Sequence, residues 1–174
     1  MKKLLLIFSV FMISFLSCTN SKPDKTGLAS VKIANPMKKS SQEEIFEKAG
    51  KGFKMPDGAS DFEYFIISEK LFQMNYNWNA INCTARFQKD SAFCDISGLY
   101  YNWEKSSEEH FENGKILVKY ITESSGNIIS CALYFDEENK INYSFSISVE
   151  GIGPGNIDDV GDLCKNLALQ TWNF

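Results

Sequence analysis

Apolar and polar residues alternate through the middle of this chain. In Leu71–Trp78, Phe72, Met74, Tyr76 and Trp78 fall on one face; Gln73, Asn75 and Asn77 fall on the other. In Ile81–Gln88, Ile81, Cys83, Ala85 and Phe87 alternate with Asn82, Thr84, Arg86 and Gln88. Ile141–Val149 repeats the pattern, with Tyr143, Phe145 and Ile147 set against Asn142, Ser144, Ser146 and Ser148. Period two over such lengths predicts half-buried strands. Phe62–Ile67, Ile116–Ile121 and Ile128–Phe135 are strand-like but apolar on both faces, and Ile96–Trp103 reads as an aromatic extended segment. The links Glu69-Lys70, Asn79-Ala80, Ser124-Ser125-Gly126 and Glu137-Glu138-Asn139 are short. Short links demand antiparallel neighbours, because a parallel crossover needs about a dozen residues.

Two segments carry the helical period instead. Ser41-Gln42-Glu43-Glu44 has the form of a capping box. A short helix should follow, with Ile45, Phe46 and Ala49 turned to the core and Gly50 or Gly52 ending it. Pro56-Asp57-Gly58 predicts a turn. Near the end, Asn156 can cap a helix, and Asp158 and Asp159 suit its positive end. Ile157, Val160, Leu163, Cys164, Leu167 and Ala168 form its apolar stripe. That stripe needs an apolar surface, and the one-sided strands supply it. The expectation is an α+β fold: an antiparallel meander of about six or seven strands, with both helices packed on one face.

The first eighteen residues follow a different logic. Lys2 and Lys3 precede the apolar run Leu4–Leu16, which Ser9 and Ser14 alone interrupt. The run is too short to span a bilayer and has the length of a signal-peptide core. Ser17-Cys18 follows at once, resembling a lipobox whose cysteine is acylated after cleavage. The expected organisation is a signal peptide over 1–17, a polar tether over 18–30 and one domain over 31–174. Cys18 is the candidate lipidation site. The expected location is extracytoplasmic, on a membrane held through the lipid.

Charge narrows the partners. The chain carries 18 basic and 22 acidic residues; without Lys2 and Lys3 the net charge is near −6. An acidic domain with no basic stripe is a poor ligand for nucleic acid, or for anionic lipid without an acyl chain. Cys83, Cys94, Cys131 and Cys164 remain beside Cys18. They are possible disulfide partners in an oxidising compartment, in any of three pairings. Their spacing matches no zinc motif, so neither a metal nor a cofactor is expected.

Catalytic motifs are absent from the sequence: there is no Gly-x-Ser-x-Gly, His-Glu-x-x-His or phosphate-loop signature. His110 sits in a charged stretch, and Asp90 and Asp95 flank Cys94. Gly151-Ile152-Gly153-Pro154-Gly155 reads as a strand-to-helix connection, and Asp136-Glu137-Glu138-Asn139 as a polar hairpin tip rather than a calcium loop. The polar sheet face is the constellation that carries chemistry. If the alternating strands are neighbours, Asn75, Asn77, Thr84 and Arg86 form a surface able to hydrogen-bond sugars or peptides.

Several stretches occur in a telling order: Asn35-Pro36, the short acidic helix, Phe53-x-x-Pro56-x-Gly58-Ala59, Thr84-Ala85-Arg86 and Asp95-Ile96-Ser97-Gly98-Leu99-Tyr100-Tyr101-x-Trp103. The chain thereby resembles a family of uncharacterised extracytoplasmic domains, mostly from Firmicutes and often lipoproteins, over about Ile33 to Glu150. That resemblance implies an envelope location and carries no activity or site residue with it. Cys83 and Cys94 depart from its pattern. Gly98 among aromatics suggests a bulge or a close backbone contact. The functional expectation is a binding or scaffolding domain whose partner is a polar ligand or an envelope protein. The alternatives are a hydrolase-like enzyme with a loop-built site around His110 or Asp95, and a sensor or inhibitor module that uses an exposed sheet edge.

Overall fold

Two antiparallel meanders share one sheet. The structure is a computed structural model describing residues 37–111, 115–124, 126–150 and 157–172. The first meander contains β1 (Lys38–Ser40), β2 (Ala59–Ile66), β3 (Leu71–Trp78) and β4 (Ile81–Gln88). The second contains β5 (Lys105–Phe111), β6 (Lys115–Ser124), β7 (Asn127–Asp136) and β8 (Ile141–Glu150). They join through β4 and β8, giving the order β1-β2-β3-β4-β8-β7-β6-β5. Helix α1 (Gln42–Ala49) follows β1, and α2 (Ile157–Thr171) follows β8. The α+β class and the antiparallel sheet match the sequence expectation. The strand count exceeds it, and the sheet is not a single meander because β4 pairs with β8 rather than with β5.

Local chemistry sets the turns. Asn79 (φ 48°) and Ala80 (φ 64°) both adopt the left-handed conformation, as the two-residue hairpin between β3 and β4 requires. Ser41 caps α1 by accepting the Glu44 N–H at 3.2 Å, and Gly50 (φ 73°) ends it. The Glu44 carboxylate does not close the reciprocal half of the box; it accepts from Ser40 Oγ at 2.8 Å and pairs with Lys38. Ile45 and Ala49 are buried as expected. Phe46 is 58% exposed, correcting its assignment to the core: a helix this short presents only one narrow face to the sheet.

The core lies between the sheet's inner face and the helices. Phe72, Met74, Ala85, Phe87 and Phe145 meet Val160, Cys164, Leu167 and Ala168 of α2 there. Phe72 and Phe87 stack with ring centroids 5.0 Å apart. Trp172, just past α2, is wholly buried against Tyr134 and Tyr143, each at 5.7 Å. Thr171 beside it bonds Tyr76 Oη at 2.9 Å and Leu167 O at 2.8 Å. The expected Asn156 cap and the 151–155 glycine segment lie outside the described residues. No helix among the described residues is long and apolar enough to cross a membrane.

Joining β4 to β8 has a steric consequence. The chain leaving β4 must pass β8, β7 and β6 before it starts β5, a traverse of about 19 Å at ordinary strand spacing. Residues 89–104 make that crossing on the outer face of the sheet. Ile96–Trp103, expected as an extended segment, is therefore a cover rather than a strand. Leu99 and Trp103 pack on Cys131 and Leu133 of β7, and Phe93 meets Phe135 with centroids 5.8 Å apart. This cover explains why β7 is apolar on both faces: it has a helix beneath and the crossover above.

Candidate functional site

The register places the polar residues in rows across the outer face. Asn75 pairs with Thr84, Thr84 with Ser146, and Ser146 with Cys131. One step along, Gln73, Arg86, Ser144 and Leu133 are aligned; one step the other way, Asn77, Asn82, Ser148 and Ile129 are aligned. Each row runs from polar on β3 and β4 to apolar on β7. The crossover loop covers the apolar end; the polar end stays open in the Asn75 and Asn77 rows, whereas Gln73 and Ser144 are buried.

Arg86 stands at the boundary. Its Nη1 donates to Ile96 O at 3.0 Å and to Ser97 O at 2.6 Å, and its Nε donates to Gln73 Oε1 at 2.7 Å. Burial draws the guanidinium below its ordinary value, while Cys131, Asp95 and Tyr100 act in the opposite direction. A guanidinium still carries its charge in proteins. Gly98 (φ 68°) lies so close that a Cβ there would fall 2.5 Å from Arg86 Nη1, which is the close contact its sequence setting suggested. Arg86 is thus a clamp between loop and sheet, not a free binding residue.

The clamp also sets the polarity of its neighbours. A guanidinium only donates, so the Gln73 carbonyl must face it. The Gln73 amide nitrogen then donates to Asn75 Oδ1 at 2.8 Å, and Thr84 Oγ1 donates to the same oxygen at 3.2 Å. The Asn75 oxygen is consumed, and its NH2 group is left to face outward as a donor. Sequence alternation placed Gln73 on the solvent side; it is buried, because the loop lies over it.

Beside this row β2 bulges. Ser60 pairs with Asn77 and Glu63 with Asn75, so Asp61 and Phe62 together oppose Tyr76. Asp61 has φ 57°, a strained conformation for a residue inside a strand. The bulge lets Ser60 and Asp61 both face outward. Asp61 Oδ2 accepts from Asn77 Nδ2 at 3.1 Å and from Ser60 Oγ at 3.0 Å. These bonds, Asn77 first, hold its carboxyl below the usual range. Asn77 therefore presents its oxygen. Bulges commonly re-aim side chains next to binding sites.

The result is a cleft of about 590 Å³. Asn75, Asn77, Asn82 and Thr84 form its floor, and Asp61, Glu63 and Lys39 form its rim. Lys39 pairs with Glu63 at 2.8 Å, so the rim's cation is neutralised. A second cleft of about 340 Å³ shares Asn82 and continues along Ser148, Asn127 and Glu150. The structure thus brings Asn75, Asn77 and Thr84 into one site and sets Arg86 behind it. Sequence reasoning missed Asp61, whose bulge has no local signature, and Asn82, which it named only as part of the alternation.

The other sequence candidates go elsewhere. Cys83, Cys94, Cys131 and Cys164 are all free thiols in this structure. Register explains why Cys131 cannot reach Cys83: Cys83 and Ser130 both align with Ile147, so Cys131 faces the opposite side of the sheet. Burial raises the Cys83 thiol to about 11 and holds Cys131 well above its ordinary value. Asp95 accepts the Ser97 N–H at 2.7 Å and shapes the loop. His110 pairs with Ile116 on edge strand β5; its side chain lies outside the described residues. That edge is charged, and Glu109 is tied to Lys165 of α2 at 2.5 Å. Asp136 holds its hairpin tip by accepting from the Asn139 N–H at 3.1 Å and from its amide at 2.8 Å. No group of three metal-ligating side chains gathers among the described residues. Cys18 lies outside them. No protein family, curated protein or solved structure matches this chain.

Proposed function

We propose that this chain is a lipid-anchored, extracytoplasmic binding domain that holds a polar ligand in the cleft over β2, β3 and β4. The observation that carries the reading is the one-way chain of hydrogen bonds from Arg86 through Gln73 to Asn75. It fixes the direction of a half-buried amide before any ligand arrives, and preorganisation lowers the cost of binding. The Asp61 bulge does the same for Asn77. Asp95, around which the enzyme alternative is drawn, accepts the Ser97 N–H and is committed to the loop. The hydrophobic leader and Ser17-Cys18 support the anchor. The charged β5 edge is blunted against strand addition, which favours the face over that edge as the binding surface. The resemblance to envelope lipoprotein domains agrees with this placement.

A thermal-shift screen of sugars, amino acids and short peptides against the full chain tests the reading. Ligands that raise Tm should lose that effect in the Asn75→Ala/Asn77→Ala variant. A ligand that stabilises both proteins equally shows that the cleft is not the site.

A further inference from the structure

We propose that the ligand of this cleft is a neutral oligosaccharide, lying along the floor from Asp61 past Asn82 towards Asn127. The inference rests on the reading of the cleft as the binding site and adds the chemical class.

Hydrogen-bond sense is the first argument. A sugar hydroxyl is a donor and an acceptor at once, and an oligosaccharide carries hydroxyls along its whole length. The floor offers matched opposites. Asn75 presents N–H, Asn77 presents a carbonyl oxygen, and the two lie two residues apart on one face of β3, about 7 Å along the strand. The side chain of Asn82, on the adjoining strand, makes no hydrogen bond among the described residues and can both donate and accept. Thr84 spends its proton on Asn75 and keeps its oxygen lone pairs.

Charge is the second. Lys39 is held by Glu63, and Asp61 shares its charge with Asn77 and Ser60. An anionic ligand would meet Asp61 and Glu63 without a free cation, so a neutral ligand fits better. A peptide binding by strand addition needs unpaired backbone at an edge. The backbone of β3 and β4 is already paired on both sides, so the floor offers side chains alone; among the described residues the outer edge of β2 is open over Ala59–Glu63, and a peptide comparison tests strand addition there.

Length and apolar contact are the third. The second cleft extends the polar track through Asn82 to Ser148 and Asn127, room that a single sugar ring would leave unused. A sugar ring has an apolar C–H face as well as its hydroxyls. The negative face of an aromatic ring attracts the slightly positive hydrogens of such a surface. The aromatic side chain beside the floor is Phe62, half-buried in the lining of the first cleft.

The test uses the full chain in detergent and isothermal titration with cellotetraose, mannotetraose and chitotetraose. Tetragalacturonate is the anionic comparison, and a tetra-asparagine peptide the non-sugar one. At least one neutral tetrasaccharide should bind saturably at submillimolar concentration. Asn82→Ala, which breaks no side-chain hydrogen bond among the described residues, should weaken it tenfold or more. Tetragalacturonate should not compete. No binding by any of the three neutral sugars at millimolar concentration overturns the sugar assignment. So does binding of the peptide alone; if that binding is lost in Asn82→Ala, the cleft reading survives. Sugar binding unchanged in both Asn82→Ala and Asn75→Ala/Asn77→Ala overturns the cleft reading itself.

Discussion

Gly98→Ala tests the clamp that divides the outer face. Gly98 and Gly50 have nearly the same backbone, φ 68° and φ 73°. A side chain at either position pays for the left-handed conformation, about 1–2 kcal/mol. The surroundings differ. Nothing lies within 4 Å of a Cβ built on Gly50, whereas Arg86 Nη1 lies 2.5 Å from one built on Gly98. That nitrogen holds the Ile96 and Ser97 carbonyls, so it must leave them to make room. Hydrogen bonds to a charged group contribute about 1.5–3 kcal/mol. Gly98→Ala should therefore cost about 3–5 kcal/mol in the loop-closed state, and Gly50→Ala about 1–2 kcal/mol. The difference converts to a shift in loop opening of roughly ten- to a hundredfold. Cys131 is the reporter, because it is fully buried beneath Leu99 and Trp103. Native-state labelling of that thiol should accelerate by that factor in Gly98→Ala and change little in Gly50→Ala. Exposed Cys94 labels at once in every variant and serves as the internal control. Equal labelling rates at Cys131 in the two variants would refute the clamp.

Other perturbations reach the core, the titrating groups and the anchor. Trp172→Ala removes the largest buried side chain and should lower stability by about 3–5 kcal/mol in urea denaturation; a loss under 1 kcal/mol means the tail is not part of the core. Stability should fall as pH rises. Burial holds the Cys83 thiol protonated from its ordinary 9.0 up to about 11, while the unfolded chain releases that proton near 9. The folded state binds more protons across this window, so the stabilisation is complete below pH 9 and is lost towards pH 11. The urea midpoint should drop between those values, and Cys83→Ala should lessen the drop without abolishing it, because Cys131 is raised by burial in the same way; an unchanged slope would show that Cys83 does not contribute. Cys18→Ser should abolish incorporation of labelled fatty acid, and a wild-type chain that takes up none has no lipid anchor.

The sequence was most readable where structure is local. Period two located β3, β4 and β8, and the Asn79-Ala80 link already implied that Asn75 and Thr84 share a row. The apolar stripe of α2 found its surface, with Val160, Cys164 and Leu167 buried. Pairing between distant segments was not readable. Nothing in Ile81–Gln88 or Ile141–Glu150 states that they adjoin, because alternation fixes which face a residue takes and not which strand lies beside it. Everything that depends on this pairing was hidden as well: the crossover, the burial of Gln73 and the recruitment of Arg86 as a clamp. Trp172 escaped notice because a lone aromatic after a helix has no period. Asp61 escaped because a bulge in β2 is imposed by its pairing with β3 rather than by its own residues.

The pairing of β4 with β8 also explains why a polar cleft exists. It sends the crossover over half of the outer face and leaves the other half bare, with Arg86 on the dividing line. The same side chain that ends the covered half orients the first amide of the open half, so loop closure and the polarity of the cleft are coupled through Gln73. Substituting Arg86 separates charge from shape. In Arg86→Met nothing forces the Gln73 carbonyl inward, and its amide can turn over. The Gln73 Nε2 protons should lose their protection from solvent exchange, and the Asn75 side-chain amide should cease to have one orientation. Arg86→Lys keeps a group that only donates, so it should preserve both while weakening the hold on Ile96 and Ser97. Side-chain amide exchange measured by NMR distinguishes the cases. Gln73 protection retained in Arg86→Met would show that packing, not the cation, sets the polarity of the cleft, and would remove the reason for assigning Asn75 as a donor.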